Sequence, residues 1–291
     1  MKNKEIVMRF YVGSACFIIV ILFISIIAQQ VTFNNKQFAY DDEQQFLDEQ
    51  IIVNFSHVVA ENTPKGMAAV KFADLVREKS NGEIIVEIHP NGILYNDETE
   101  VKALQEGKIQ MIAPTISKMT GYMPSWGLLD LPFIFENDEQ VYTVLNGELS
   151  TRLLTELKSV NIHGLTFWHN GFKQIATQQQ PILDAASFHQ VRVRTMKSEV
   201  LQNQFELLGA IPVTTTFNEI YRQMELGNIT AQENTLSNIY SKGFYEQQPN
   251  ITLSNHGILA YAVMMNQSFW DSLQPKHQQI ILEALNEMND W

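Results

Sequence analysis

The sequence predicts an α/β protein of two lobes, and three observations carry that expectation. Strand-like segments alternate with segments of helical period over about 240 residues from Ile51 onward, the pattern of a mostly parallel sheet covered by helices. No period of about 20–50 residues recurs, which sets aside a solenoid or a propeller. With 291 residues, 45% of them hydrophobic and 18% charged, the chain has apolar material for two ordinary cores.

Lys2, Lys4 and Arg9 precede a largely apolar, uncharged run at residues 10–28. Such a start reads as a signal peptide or an N-terminal anchor. Either one exports the remainder of the chain. Cys16, the only cysteine, lies in this run, so an intrachain disulfide, a cysteine zinc cluster and a CxxC pair are excluded. Residues 29–50 are polar and acidic and read as a tether.

The elements then follow in order. Residues 51–59 are rich in β-branched side chains. Pro64 opens a helix, as proline does in a first turn, and Asn81-Gly82 ends it. Residues 83–89 alternate in strand fashion. A short helix at 98–106 stops at Gly107, and 109–113 reads as a buried strand. One long helix is expected over 138–159, with Asn137 as its cap. Strands are expected at 162–168, 173–177, 191–195, 211–214, 229–232 and 258–265. Helices are expected at 198–208, at 217–226 and from Pro275 to the end.

Signatures of catalysis are missing from the sequence: GxSxG, HExxH, GxGxxG and the P-loop. The seven histidines show no metal-ligand spacing. No enzymatic activity, cofactor or metal is therefore expected. The formal net charge is -12; without residues 1–28, 17 basic side chains face 31 acidic ones, a net near -14. That surface repels the phosphates of nucleic acids.

Against this acidity, cations in apolar, extended segments stand out. Arg192 and Arg194 alternate with Val191 and Val193, so a strand places both arginines on one face. They face a cleft, or form an ordinary salt bridge at a strand edge. Lys173 follows the aromatic stretch at 167–172 and reads equally well as a surface lysine. Asn234 ends the segment 231–234. It either caps the next helix or presents its amide at the carboxyl edge of a strand, where open α/β sheets bind ligands.

Taken together, these segments resemble a known family. Residues 55–118, FSHVVAENTPKGMAAVKFADLVREKSNGEIIVEIHPNGILYNDETEVKALQEGKIQMIAPTISK, are similar to the first lobe of the extracytoplasmic solute receptors of TRAP (tripartite ATP-independent periplasmic) transporters. WHNGFKQIA, VRVRTMKSEV and NEIYRQMELGNITAQENTLSNIYSKGFYE are similar to second-lobe motifs, and LSNHGILAYAVMMNQSFWDSL to the return into the first lobe. The likeness spans roughly residues 54–289 and is strongest to the branch that binds four-carbon dicarboxylates such as succinate, malate or fumarate.

The resemblance implies the two-lobed periplasmic-binding-protein fold, with a mixed, mostly parallel sheet in each lobe and a cleft between. Lobe I would comprise 51–170 with 258–291, and lobe II 171–257. It implies a monomeric, non-catalytic receptor that closes on a small carboxylate and hands it to membrane permease subunits. Arg194 falls on the family's carboxylate-binding arginine, Arg192 on the basic position before it, Asn234 on the asparagine of Q-E-N and Lys173 on the basic residue after N-G. Lys65 matches the dicarboxylate branch and could reach a second carboxylate. Trp168 or Phe172 could wall the cleft, and Thr115 and Ser117 are candidate donors from lobe I. Some positions depart from the pattern: Thr230-Ala231 replaces Asp-Gly, Leu236 stands where tryptophan is common, and family members continue beyond Trp291. A truncated or divergent paralogue, acting as an anchored sensor or inactive, is the competing expectation.

Overall fold

The computed structural model describes residues 50–289; the leader expected at 1–28, and the tether apart from its last residue, lie outside them. From the start run β1 (Ile51–Ser56), α1 (Pro64–Lys79), β2 (Ile84–His89), α2 (Glu100–Gln105), β3 (Met111–Ile112), α3 (Ile116–Met119), α4 (Asp138–Leu145), α5 (Glu148–Glu156) and β4 (Ile162–Phe172). Next come β5 (Gln174–Thr177), β6 (Arg192–Thr195), α6 (Glu199–Leu207), β7 (Ile211–Thr214), α7 (Ile220–Glu225), β8 (Ala231–Asn234), α8 (Leu236–Ser241) and β9 (Asn250–Thr252). The chain closes with β10 (Ile258–Asn266), α9 (Gln267–Ser272) and α10 (Pro275–Asn289).

Two sheets result. The first has the order β2-β1-β3-β10-β4, the second β7-β6-β8-β5-β9. Each pairs its first three strands in parallel and its last two antiparallel. The α/β expectation holds, with the parallel pairing confined to one half of each sheet. In the first sheet β10 accounts for this, because it returns from the far end of the chain and inserts between β3 and β4; in the second, β5 lies between β8 and β9, antiparallel to both.

All nine residues of β10 are buried, since helices cover both faces of its sheet. Leu259, Tyr261, Val263 and Met265 enter one core with Phe55, Phe72 and Ile281. Ile258, Ala260, Ala262 and Met264 enter the other with Trp126 and Phe167, as alternation along a strand requires. The second sheet is covered in the same way. Val193, Ile175 and Phe205 lie on one side, Ala176, Phe217 and Ile220 on the other. Val58 and Val59, from the loop after β1, join that last core and seat the first lobe on the second.

Local signals explain most element ends. The Thr63 hydroxyl accepts the Gly66 N–H at 3.1 Å, with Pro64 beside it in the first turn. Asn137 caps α4 by accepting the Gln140 N–H at 3.0 Å. The long helix expected over 138–159 is instead two, split at Asn146-Gly147, followed by a 3-10 turn at Leu157–Val160. The strand expected at 229–232 starts two residues later, at Ala231.

The chain crosses between the sheets at two places that touch. β4 kinks at Gly171, whose φ of +119° lies in a region that strongly favours glycine, and β5 starts two residues beyond its end. On the return, the Gly257 carbonyl accepts the Lys173 N–H at 2.7 Å. A Cβ on Gly257 would sit 3.1 Å from Lys173 Cε, a tight contact that the lysine side chain would have to relieve by shifting.

Candidate functional site

A cavity lies between the two lobes, at the carboxyl ends of the parallel strands. Val58, Val59, Asp97, Glu100, Thr115, Leu259 and Tyr261 line it from the first lobe. Arg194, Met196, Phe217, Glu233, Asn234 and Asn238 line it from the second.

Arg194 is placed by strand alternation. Val193 enters the core, so the next side chain turns to the opposite face of β6, near its carboxyl end. Its guanidinium is 2% exposed and donates from Nη2 to the Thr215 carbonyl at 3.0 Å. Nε is buried without a partner. Burial lowers the pKa of the group, while Asp97 and Glu233 oppose that shift. A buried cation with a donor to spare is matched to an anionic acceptor.

Asn234 ends β8 and is buried. Its Oδ1 accepts from the Thr235 N–H and from Asn238 Nδ2, both at 3.0 Å. The amide nitrogen makes one longer bond, 3.3 Å to Gln232 Oε1. Thr115, opposite on the first lobe, directs its hydroxyl to Met196 Sδ at 3.2 Å. The cavity thus brings together three of the expected residues: Arg194, Asn234 and Thr115.

Lys65 stands close behind. It lines a neighbouring opening that shares Tyr261 with the cavity. Its ammonium donates to the Ala113 carbonyl at 2.9 Å and lies 3.9 Å from the centroid of the Tyr261 ring. Burial pulls its pKa down to about 8, against the pull of Glu100 and Asp97. Tyr261 itself is pushed up to about 12 by burial. Trp168 lines the same neighbouring opening and packs on Phe55 at 6.1 Å, within the first core.

Lys173 is placed differently. It is 1% exposed and pairs with Glu233 Oε2 at 2.8 Å, an oxygen that also meets His256 Nε2 at 2.9 Å. Burial works to raise the Glu233 pKa, but Lys173 and His256 overcome it and hold the carboxyl at about 2. Arg192 shares the face of Arg194 but sits at the other end of β6, exposed, with its guanidinium on the carbonyls of Gly227 (2.7 Å) and Asn228 (3.2 Å). Phe172 packs against the second core of the first lobe. The Ser117 hydroxyl goes to Asp130 Oδ1 at 2.6 Å.

Sequence reasoning missed the acids. Asp97 accepts the Phe217 N–H across the cleft at 3.2 Å and pairs with Lys118 at 3.0 Å. Glu100 is 1% exposed, and neither carboxyl oxygen has a hydrogen-bond partner. Burial pushes its pKa up to about 8, with Lys65 opposing and Asp97 reinforcing. Nothing in the segment NDETE marks these two acids as buried. Among the described residues, no cluster of His, Cys, Asp or Glu is arranged to hold a metal.

Comparison with known proteins agrees with this architecture. Residues 55–291 match the model of the bacterial extracellular solute-binding proteins, family 7. The C4-dicarboxylate-binding protein DctB of Bacillus subtilis is 48% identical over 257 residues, covering 88% of this chain and 73% of that protein. The C4-dicarboxylate-binding periplasmic protein DctP of Rhodobacter capsulatus is 39% identical over 246 residues, 84% of this chain and 74% of that one. A TRAP periplasmic solute-binding protein from Shewanella oneidensis, solved with bound succinate, superposes with a TM-score of 0.80 at 40% identity, covering 83% of this chain and 79% of that one. A TRAP solute-binding protein from Pseudomonas aeruginosa with bound L-malate gives 0.80 at 32% identity, over 82% and 83%. With its two mixed sheets and the cavity between them, the chain belongs to family 7 of the bacterial extracellular solute-binding proteins, the solute receptors of TRAP transporters.

Proposed function

We propose that this receptor captures a four-carbon dicarboxylate such as succinate or malate on the extracytoplasmic side and delivers it to a TRAP membrane permease. The observation that carries the reading is the buried Arg194 guanidinium at the interlobe cavity, with Nε unpartnered. A guanidinium offers two parallel N–H donors to one carboxylate. The Asn234 amide and the Thr115 hydroxyl stand ready to complete that end of the ligand. Lys65, charged and without an ion-pair partner among the described residues, answers the other end.

The energetics are adequate. A dicarboxylate has little apolar area to bury, so charge must supply its affinity. Each hydrogen bond to a charged group contributes about 1.5–3 kcal/mol net. Micromolar binding needs about 8 kcal/mol, which two cations and two neutral donors can provide. Contacts drawn from both lobes favour the closed arrangement when ligand is present, because all of them are made only there.

Calorimetric titration of the full chain, purified in mild detergent, tests this with succinate and L-malate. Binding is expected at micromolar concentration, and Arg194→Ala should weaken it at least a hundredfold. Unaltered affinity in that variant, confirmed folded by circular dichroism, would remove Arg194 from the site. No binding of any dicarboxylate by the unmodified chain would remove the function.

A further inference from the structure

An anion site lined by three acids poses a question of charge. Asp97, Glu100 and Glu233 all line the cavity. Two of them are answered. Asp97 pairs with Lys118 and accepts a backbone N–H from the second lobe. Glu233 pairs with Lys173 and His256. Glu100 has no hydrogen bond to either oxygen and no ion pair among the described residues, though it is almost wholly buried.

Two arrangements of charge follow. With Glu100 ionised, the uncompensated charges are Arg194 and Lys65 against one carboxylate, a net of one. With Glu100 protonated they are Arg194 and Lys65 alone, a net of two, equal and opposite to a dicarboxylate. Its surroundings favour the second. Asp97 precedes Glu100 in the same segment and repels its charge. Lys65 on α1 and Lys118 on α3 attract it, but burial outweighs both and the pKa stands at about 8. Across the cavity stand Arg194 on β6 and Glu233 on β8; Tyr261 on β10, held at about 12 by burial, stays neutral. His57, beside Lys65, is held at about 3 by burial and by that lysine, and adds no charge. Glu98 meets Lys118 from its outer, partly exposed side.

We propose that Glu100 holds a proton in the liganded receptor and donates it in a hydrogen bond to the second carboxylate of the ligand, so that the dicarboxylate is bound by the protonated form of this residue. This rests on the dicarboxylate reading above. The proton comes from solvent and stays on Glu100, and no covalent bond to the ligand forms. A carboxylic acid is a donor where a carboxylate is only an acceptor. The residue therefore discriminates by what stands opposite it: an acceptor oxygen is matched, while a methyl group leaves its O–H buried and unpaired, at a cost.

The measurement is calorimetry with succinate between about pH 7 and 9, above the ordinary carboxylate range, so that the ligand's own titration does not intrude. Running each titration in two buffers of different ionisation heat counts the protons. Glu100 and Lys65, both at about 8 in the unliganded chain, are expected to contribute little uptake near pH 7, where they already hold their protons, and more than one proton in all near pH 9, with Kd rising over the same range. Glu100→Gln, which keeps a donor but cannot titrate, is expected to lose the Glu100 share and to show a shallower rise of Kd. Equal uptake and equal pH slope in the two chains near pH 9 overturn the proposal. If that variant fails to fold, the count on the unmodified chain decides: more than one proton near pH 9 supports the proposal, and one or fewer overturns it. The two readings fail separately: succinate binding that depends on Arg194 with equal uptake in the two chains sinks only the role of Glu100, whereas no succinate binding at all sinks the receptor reading beneath it.

Discussion

Lys65 in the first lobe and Lys173 at the entry to the second are both almost entirely buried, yet they are held in opposite ways. Lys173 meets a carboxylate at 2.8 Å, and that carboxylate also meets His256. Among the described residues Lys65 has contact with the Ala113 carbonyl and the face of Tyr261 and forms no ion pair, although Glu100 and Asp97 attract its charge. Carbonyl dipoles and a π face stabilise an ammonium without cancelling it. The charge of Lys173 is thus consumed within the protein, while that of Lys65 is left for the ligand under the proposed function. Burial of a cation does not by itself identify a ligand contact; what it is paired with does.

That contrast can be broken most easily on stability. Lys173→Met leaves Glu233 in the interior with His256 as its one remaining partner among the described residues, and urea unfolding should show a loss of about 3–5 kcal/mol. Adding Glu233→Met should recover most of it, because a buried pair replaced as a unit costs little. A single variant as stable as the unmodified chain would mean the pair is not structural.

Lys65→Met should act on binding instead. Succinate affinity is expected to fall by about ten- to a hundredfold, the worth of one charged hydrogen bond, with the unfolding free energy changed by less than about 1 kcal/mol. A large stability loss with intact affinity would reverse the roles of the two lysines.

The smallest effect separates the acids that face these lysines. Glu233, held at about 2, lies below its unfolded value near 4.3, so its contribution is present above that value and is lost as pH falls towards 2. Glu100, raised to about 8, has the opposite sign: its contribution is present below about 4.3 and is lost as pH rises towards 8. Melting temperatures of the unliganded chain should show Glu233→Gln flattening only the acid limb and Glu100→Gln only the limb between pH 5 and 8. Both variants flattening the same limb would contradict the assignment.

Much of this was legible in the sequence, for identifiable reasons. Pro64, Asn137 and the alternation of 191–195 are local signals, and they placed helix starts and put both arginines on one face of a strand. The break of the expected long helix was also written locally, as Asn146-Gly147, and was outweighed by the periodicity around it. The site acids were not legible. What buries Glu100 is the packing of its helix α2 against β3 and β10, and Lys65 reaches a carbonyl 48 residues away. The partner of Lys173 lies on another strand, adjacent only because β5 pairs with β8. Arg192 and Arg194 look alike in sequence; only the direction of β6 relative to the cavity separates them.

The paired crossings at Lys173 and Gly257 have a mechanical consequence. Each sheet keeps its own ladder up to the point where the chain leaves it, so if the lobes open as the proposed function requires, torsion at a few crossing residues suffices and both sheets stay intact. What must then be given up is the set of polar contacts spanning the gap, among them Asp97 with the Phe217 amide and Asp130 with the Ser198 hydroxyl at 2.6 Å. Water replaces such bonds at a net cost of about 1 kcal/mol each. A joint built this way would give way to small forces, as the proposed carrier needs if it is to let go of its cargo as readily as it takes hold.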